Sequence, residues 1–292
     1  MAPQSGNTTA TPPATTQDPL TTPPAFPPEK QQIINELVRA LFPVKAGESG
    51  AGDSPILEIP MTLRKAIDRS QGNSAARLAI VEAYWKLRSK ISELEVEKAI
   101  LQSCQLVYSS FEKEVSRGVG ASNPELTALI GSFKAAISAA DARIYQAKIN
   151  IRYCQIDLMQ KMGQTTDTGW PVPSSYPYCG PSYRLEIDKA RRNNFTLATE
   201  SVLIPEKLKT IQMIGMALGP IAELFRPNIS SLRTTNDGYL YLKTLENKRD
   251  SAILFIQLVE SLNTSIVHYV SDFTDMPISN DDFVQSLVGP EK

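Results

Sequence analysis

Between residues 130 and 158 the chain carries a run that few folds can accommodate. Ile130, Phe133, Ile137, Ala140, Ile144, Ala147, Ile151, Cys154 and Leu158 follow one another in alternating steps of three and four. An apolar seam of period 3.5 belongs to a helix lying along a partner helix in a left-handed supercoil. A looser seam of the same period precedes it: Ile80, Tyr84, Leu87, Ile91, Leu94, Lys98, Leu101, Gln105 and Tyr108. The two seams predict a pair of arms over 74–162, folded back on each other at a turn near 117–123. An arm of roughly 40 residues at 1.5 Å per residue is about 60 Å long, too long for the core of an ordinary compact domain.

The turn and the ends of the arms are punctuated. Gly118 and Gly120 stop the first arm, and Asn73 or Ser74 is placed to cap its start. Asn123-Pro124-Glu125 restarts the helix with an N-cap, a proline at the first helical position and an acid in the first turn. Gly163 is a natural residue to follow the second arm. From 164 to 182 the prolines Pro171, Pro173, Pro177 and Pro181 exclude helix, and Trp170, Tyr176 and Tyr178 are expected to pack this bridge onto the rods. A short helix is expected over 183–193. A third arm starts near Ile204-Pro205, with Leu208, Ile211, Gly215, Leu218, Ala222 and Phe225 in register and Gly219-Pro220 set to interrupt it. After a turn over 226–238, a fourth arm runs to about residue 275. Its seam is Leu242, Leu245, Arg249, Ala252, Ile256, Val259, Asn263, Ile266, Val270 and Phe273.

The resulting expectation is an all-α chain of two tandem antiparallel helical hairpins, a coiled-coil-like bundle of four rods. The segments are a Pro/Thr-rich stretch at 1–28, a short helix and linker at 29–72, the first hairpin at 73–163, the bridge at 164–182, the second hairpin at 183–275 and a loose tail at 276–292. Residues 1–28 have too few large apolar groups to offset the entropy of ordering, so disorder is expected there. Within 29–72, Ile33, Ile34, Leu37, Val38 and Leu41 predict an amphipathic helix. A short extended piece follows near 54–60, then one or two helical turns at 63–70.

Composition excludes several classes of function. The formal charge is −1 with no basic stripe, which argues against a nucleic-acid footprint. Three dispersed cysteines, Cys104, Cys154 and Cys179, give neither a disulfide framework nor a zinc pattern. His268 is the single histidine, so paired-His metal sites cannot be built within one chain, and it sits inside a helix pattern. No Gly-rich phosphate loop follows a strand. The longest apolar runs are interrupted by Glu, Gln or Asn, so no transmembrane helix is expected, and 1–28 has neither the basic start nor the apolar centre of a signal peptide. An enzyme is not expected, nor any cofactor or metal.

The order of features resembles the TolC family of outer-membrane efflux channels, especially its divergent members. Ile80-Val81-Glu82-Ala83-Tyr84-Trp85-Lys86-Leu87 is similar to the opening of that family's long helix, and Arg117-Gly118 followed by Leu126 to its helical tip. The stretch 149–163 is similar to the end of its first repeat. Tyr178-Cys179-Gly180-Pro181-Ser182-Tyr183 resembles a Gly-Pro-Tyr element of the divergent members, and 259–269 resembles their last helix. The resemblance runs from about residue 75 to 273. Family members also insert a β-hairpin in each repeat, and no alternating run of that length occurs here.

The resemblance implies a helical component like the periplasmic tube of an efflux or secretion channel, working by transport without chemistry. It implies a trimer, an adaptor protein as partner and a place in the cell envelope, periplasm or outer membrane. With no signal peptide visible, a cytoplasmic protein stays open. The residues alone fit equally a soluble or peripheral coiled-coil scaffold that binds partner helices. On the channel reading Glu114, Arg117, Gly118, Arg233 and Asp237, at the two turns, form the aperture or the adaptor contact. Ile137, Ile144, Ile151, Ile256 and Ile266 form the interface seam. Val96, Ile100, Val107 and Phe111 on the first arm, and Leu254, Phe255, Leu258 and Leu262 on the fourth, lie beside the seams. The other hairpin can cover some of them, and the remainder are expected to meet neighbouring protomers.

Overall fold

The computed structural model describes residues 26–43, 57–70, 74–116, 123–165, 169–183, 195–219, 224–232, 234–273 and 279–288. Among these the chain is all-α: α1 (Pro28–Leu41), α2 (Leu63–Asp68), α3 (Ser74–Ser116), α4 (Pro124–Lys161), α5 (Phe195–Leu218), α6 (Thr235–Phe273) and α7 (Asn280–Val288). Two short strands, β1 (Glu58–Met61) and β2 (Trp170–Pro173), and a 3-10 turn at Ile229–Ser231 are the other described elements.

The four long helices are ordered α4, α3, α6, α5, so α3 and α6 are the inner pair. Asn123 caps α4 as its sequence suggests, its Oδ1 accepting from the amides of Glu125 (2.9 Å) and Leu126 (3.3 Å). Gly163, at φ +64°, ends α4 in a Schellman motif, with Gly163 N–H on the carbonyl of Gln160 and Gln164 N–H on that of Met159. The α3 seam is buried from Ile80 to Leu94. Beyond Leu94 the buried side of α3 shifts to Val96, Ile100, Cys104, Val107 and Phe111, where Phe111 meets Phe133 of α4 at 5.9 Å and Ile100 and Cys104 face Ala136 of α4 and Leu242 and Leu245 of α6. The sequence led to an expectation of incomplete coverage here, but Val96, Ile100, Val107 and Phe111 are all buried within the chain. On α6 Phe255 and Leu262 are buried and Leu258 partly so, leaving Leu254 as the exposed member of its group.

The α3–α6 contact carries polar pairs along its length. His268 Nε2 lies 2.9 Å from Glu82 Oε1. Farther along, buried Glu97 receives the guanidinium of Arg249 of α6 at 2.7 Å and that of Arg143 of α4 at 2.8 Å. One carboxylate thus locks three helices in register. Ser103 donates to the carbonyl of Phe225 in the segment that leads toward α6.

The second hairpin is lopsided. α5 starts at Phe195, nine residues before the expected Ile204, and carries Pro205 in its interior. Proline there removes a helix hydrogen bond at a cost of about 3 kcal/mol, offset by full burial of Ile204, Leu208 and Ile211 against the core. The helix stops at Leu218, with Gly219 at φ +70°. α5 therefore covers only the C-terminal half of α6. The other half of α6 lies beside α4: Thr235 Oγ1 donates to Glu125 Oε2 at 3.4 Å. Gly238, expected in a turn, is helical, and a Cβ there would stand 2.5 Å from Leu129 Cδ2. α6 comes this close to α4 because residue 238 has no side chain.

The proline-rich bridge holds what the sequence concealed. Trp170–Pro173 pairs with Glu58–Met61 as a parallel two-stranded sheet, in register Glu58 with Trp170 and Met61 with Pro173. Three prolines, Pro60, Pro171 and Pro173, fit because each strand is an edge. Prolines supply no N–H, so side chains from four helices satisfy the remaining backbone. Tyr84 of α3 is fully buried, donates to Met61 O (2.9 Å) and accepts from Ser174 N (3.1 Å) and Ser175 N (2.9 Å). Gln155 of α4 donates to Pro171 O at 3.1 Å. Asn263 of α6 exchanges two bonds with the backbone of Tyr178, at 2.8 and 3.0 Å. Gln31 of α1 donates to Cys179 O at 2.7 Å.

The expected loose tail contains α7, opened by a reciprocal Ser279–Asp282 cap and anchored by buried Phe283 and Leu287. The expected helix over 183–193 lies outside the described residues except for Tyr183, which is non-helical, and the expected disorder of 1–28 lies outside them as far as residue 25, while Pro28 departs from it as the first residue of α1.

Candidate interaction surface

Of the five turn residues, Arg117, Gly118 and Arg233 lie outside the described residues. Glu114 is exposed on the last turns of α3. Asp237 works as a helix cap: its Oδ2 accepts from Thr234 N at 2.8 Å, and its own amide donates to Thr234 Oγ1 at 3.2 Å. The Thr235–Glu125 contact puts the start of α6 next to the start of α4, so the turns preceding these helices share one end of the molecule. Ile144, Ile151, Ile256 and Ile266 are buried, and Ile137 is half-buried against them. All five serve packing within the chain.

What is left open lies elsewhere. On the outer face of α4, Tyr145 and Tyr153 are each 68% exposed, Ile149 is 49% and Ile156 is 37%. At about 100° per residue these four fall in one stripe, roughly opposite the seam that holds Ile144, Ile151 and Leu158. Lys148 caps the Tyr145 ring at 5.8 Å, and Arg152 lies 4.9 Å from the Trp170 ring while pairing with Glu58 at 3.3 Å. Exposed Leu57 and Ile59 flank Glu58 at this end of the stripe. The stripe was present in the sequence as a 4-4-3 spacing, but the stronger inner seam obscured it. α5 bears a second, sparser set: Val202, Leu203 and Met213.

Reactive groups are buried singly. The three cysteines are buried free thiols. Burial pushes the thiol of Cys104 up to about 11 and that of Cys179 up to about 12, away from the thiolate form. Lys207 Nζ lies 2.5 Å from Ser265 Oγ and 3.2 Å from the Ser261 carbonyl, and burial lowers its pKa. No spacing in the sequence couples positions 58 residues apart, so this pair went unnoticed there. A lysine beside a serine hydroxyl can activate a nucleophile. Here Ser265 is 3% exposed inside the α5–α6 contact, and the pair acts as a packing hydrogen bond. Among the described residues no three metal-ligating side chains converge.

α6 contains a window of mean hydropathy 1.3 and by length and composition could cross a membrane, contrary to the sequence expectation. Over half of that window (56%) is buried inside the protein, where α6 lies between α3 and α5.

At the opposite end from the turns, two adjoining hollows form a groove along α1. The larger, about 800 Å³, lies among α1 (Asn35, Val38, Arg39), Thr62-Leu63-Arg64, the bridge at 174–180 and Val284 of α7. The smaller, about 420 Å³, continues past Asn35 and Arg39 to Phe26 and Pro181. Arg64 is engaged by Asp68 and Asp281. Arg39 has no partner among the described residues. Gln31 spends its amide nitrogen on Asn35 and Cys179, leaving its Oε1 buried without a donor.

Comparison of the chain with protein-family models, with curated proteins and with solved structures finds no match.

Proposed function

We propose that the protein is a helical assembly component whose copies pack side by side around an enclosed space, in the manner of the tube of the TolC-type channels it resembles. It would pass solute without chemistry, as a trimer in the cell envelope, with its turn end offered to an adaptor protein. The observation that carries this reading is the stripe Tyr145–Ile149–Tyr153–Ile156. α4 is an outer helix whose inner face is used up by the core, and it keeps a second apolar face in water. Contiguous exposed apolar surface of this kind marks an interface. The shared placement of the two turns at one end supports it, because a tube of such protomers has a single aperture.

The test is the mass of the particle in solution. Sedimentation equilibrium across a hundredfold range of concentration is expected to show a closed oligomer. Tyr145→Glu with Tyr153→Glu should return it to monomer. A wild-type chain that stays monomeric throughout overturns the tube reading and leaves a scaffold that offers the stripe to a partner helix.

A further inference from the structure

The stripe on α4 has a counterpart at the other edge of the molecule. The order α4, α3, α6, α5 puts α4 and α5 at opposite ends of the row of long helices. Val202, Leu203 and Met213 of α5 are exposed, and so are Glu206 and Lys209 between them. At about 100° per residue Val202, Glu206, Lys209 and Met213 fall in one stripe, roughly opposite buried Ile204, Leu208 and Ile211.

Side-chain contacts carry a level from one edge to the other. Lys207 of α5 lies against Ser261 and Ser265 of α6, and Gly215 lies against Phe255. α6 meets α3 at His268–Glu82 and at Arg249–Glu97, and Glu97 also meets Arg143 of α4. Each pair of neighbours is antiparallel, so residues counted up one helix are counted down the next. The count sets Lys207 level with α4 at about residue 155, Met213 at about 149 and Leu203 at about 159. The two stripes therefore overlap in height.

We propose, resting on the assembly reading above, that the α5 stripe of one copy receives the α4 stripe of the next. A ring about an axis along the rods has no rise from copy to copy, so two faces meet only if they stand at one height. The directions agree as well: the helices alternate along the row, and α5 beside the next α4 continues the alternation. Ile149 then packs on Met213 and Ile156 beside Leu203, and the Lys209 ammonium lies over the exposed Tyr153 ring as a cation–π pair. The contact is heterologous, each copy giving one face and receiving the other, which is the kind that closes a ring around a space. An isologous α4–α4 contact would pair two copies, leave the α5 stripe in water and enclose nothing.

The test uses the full chain and a short bifunctional maleimide, the three native thiols being buried. Ile149→Cys with Met213→Cys is expected to link chain to chain in a ladder that runs past two and stops at the closed ring. Either substitution alone is expected to give no linked dimer. Ile149→Cys with Leu203→Cys, mismatched in height by about 15 Å, is expected to give no ladder. Where the wild type is oligomeric, self-linking of the Ile149→Cys variant, or a matched pair that links no better than the mismatched one, overturns this contact while the oligomer stands. A wild type that is monomeric at every concentration overturns both the contact and the tube.

Discussion

Glu97 is a buried carboxylate that pairs with arginines from two other helices. Its side chain is 5% exposed, while those of Arg143 and Arg249 are 37% and 23% exposed. Removing the carboxylate leaves two guanidiniums facing each other across three helices, each able to turn part of the way to water. The full loss for breaking a buried pair is about 3–5 kcal/mol. Partial exposure of both arginines reduces this, so Glu97→Ala is expected to cost about 2–3 kcal/mol. Glu97→Gln keeps an acceptor for one arginine and should lose less. Urea unfolding of the two variants measures this. An alanine variant as stable as wild type would mean that the three helices are aligned by apolar packing alone.

At the scale of elements, the α4–α6 approach is set by a residue that is absent in all but backbone. Gly238 lies in the first turns of α6, and Leu129 stands where its side chain would be. Glycine in a helix costs about 1 kcal/mol relative to alanine, so replacing it gains propensity. Gly238→Val nevertheless must push Leu129 aside and should destabilise by about 1–3 kcal/mol, read from thermal unfolding. A stabilised valine variant would show that α6 can move away from α4 without penalty. Such contacts explain what was legible beforehand. Ile144 and Ile151 were readable because a seam is a local pattern repeated every turn. The caps at Asn123 and Gly163 were readable because they depend on a few adjacent residues. β2 was not, because Pro171 and Pro173 are poor strand residues whose pairing is imposed by Tyr84 and Gln155, distant in sequence. The start of α5 was misplaced because Pro205 normally begins a helix, and only burial of Ile204 and Leu208 tells otherwise. α7 could have been found: Ser279 and Asp282 form a capping pair, with Phe283 and Leu287 one turn apart after it.

For the whole molecule, the distribution of apolar surface is what separates folding from assembly. The second faces of α3 and α6 are covered inside the chain, so they say nothing about neighbours. Among the described residues the stripe on α4 keeps its two tyrosines largely exposed. Replacing Tyr145 and Tyr153 together should therefore change stability by no more than about 0.5 kcal/mol while changing particle mass. Unfolding of the double variant at low concentration, where the wild type is dissociated, checks this. A large loss of stability would place the tyrosines in the core of the fold instead. The candidate surface was hard to see in the sequence because exposure is a property of the finished packing. Tyr145 and Ile149 have the same spacing as core residues, and only the position of α3 decides which side faces water.

The clasp of β1 and β2 has a spectroscopic consequence. Trp85 and Trp170 are the only two tryptophans of the chain. Trp85 packs edge-on against Tyr84 at 5.1 Å, and Trp170 is the first residue of β2, under the guanidinium of Arg152. Both indoles therefore sit at one end of rods that are about 60 Å long. Intrinsic emission excited at the indole band is a local signal from the clasp and carries no information about the end where Glu125 meets Thr235. Fraying that begins at the far turns is optically silent until it has travelled most of the length of α3, whereas far-ultraviolet dichroism registers every helical turn as it is lost.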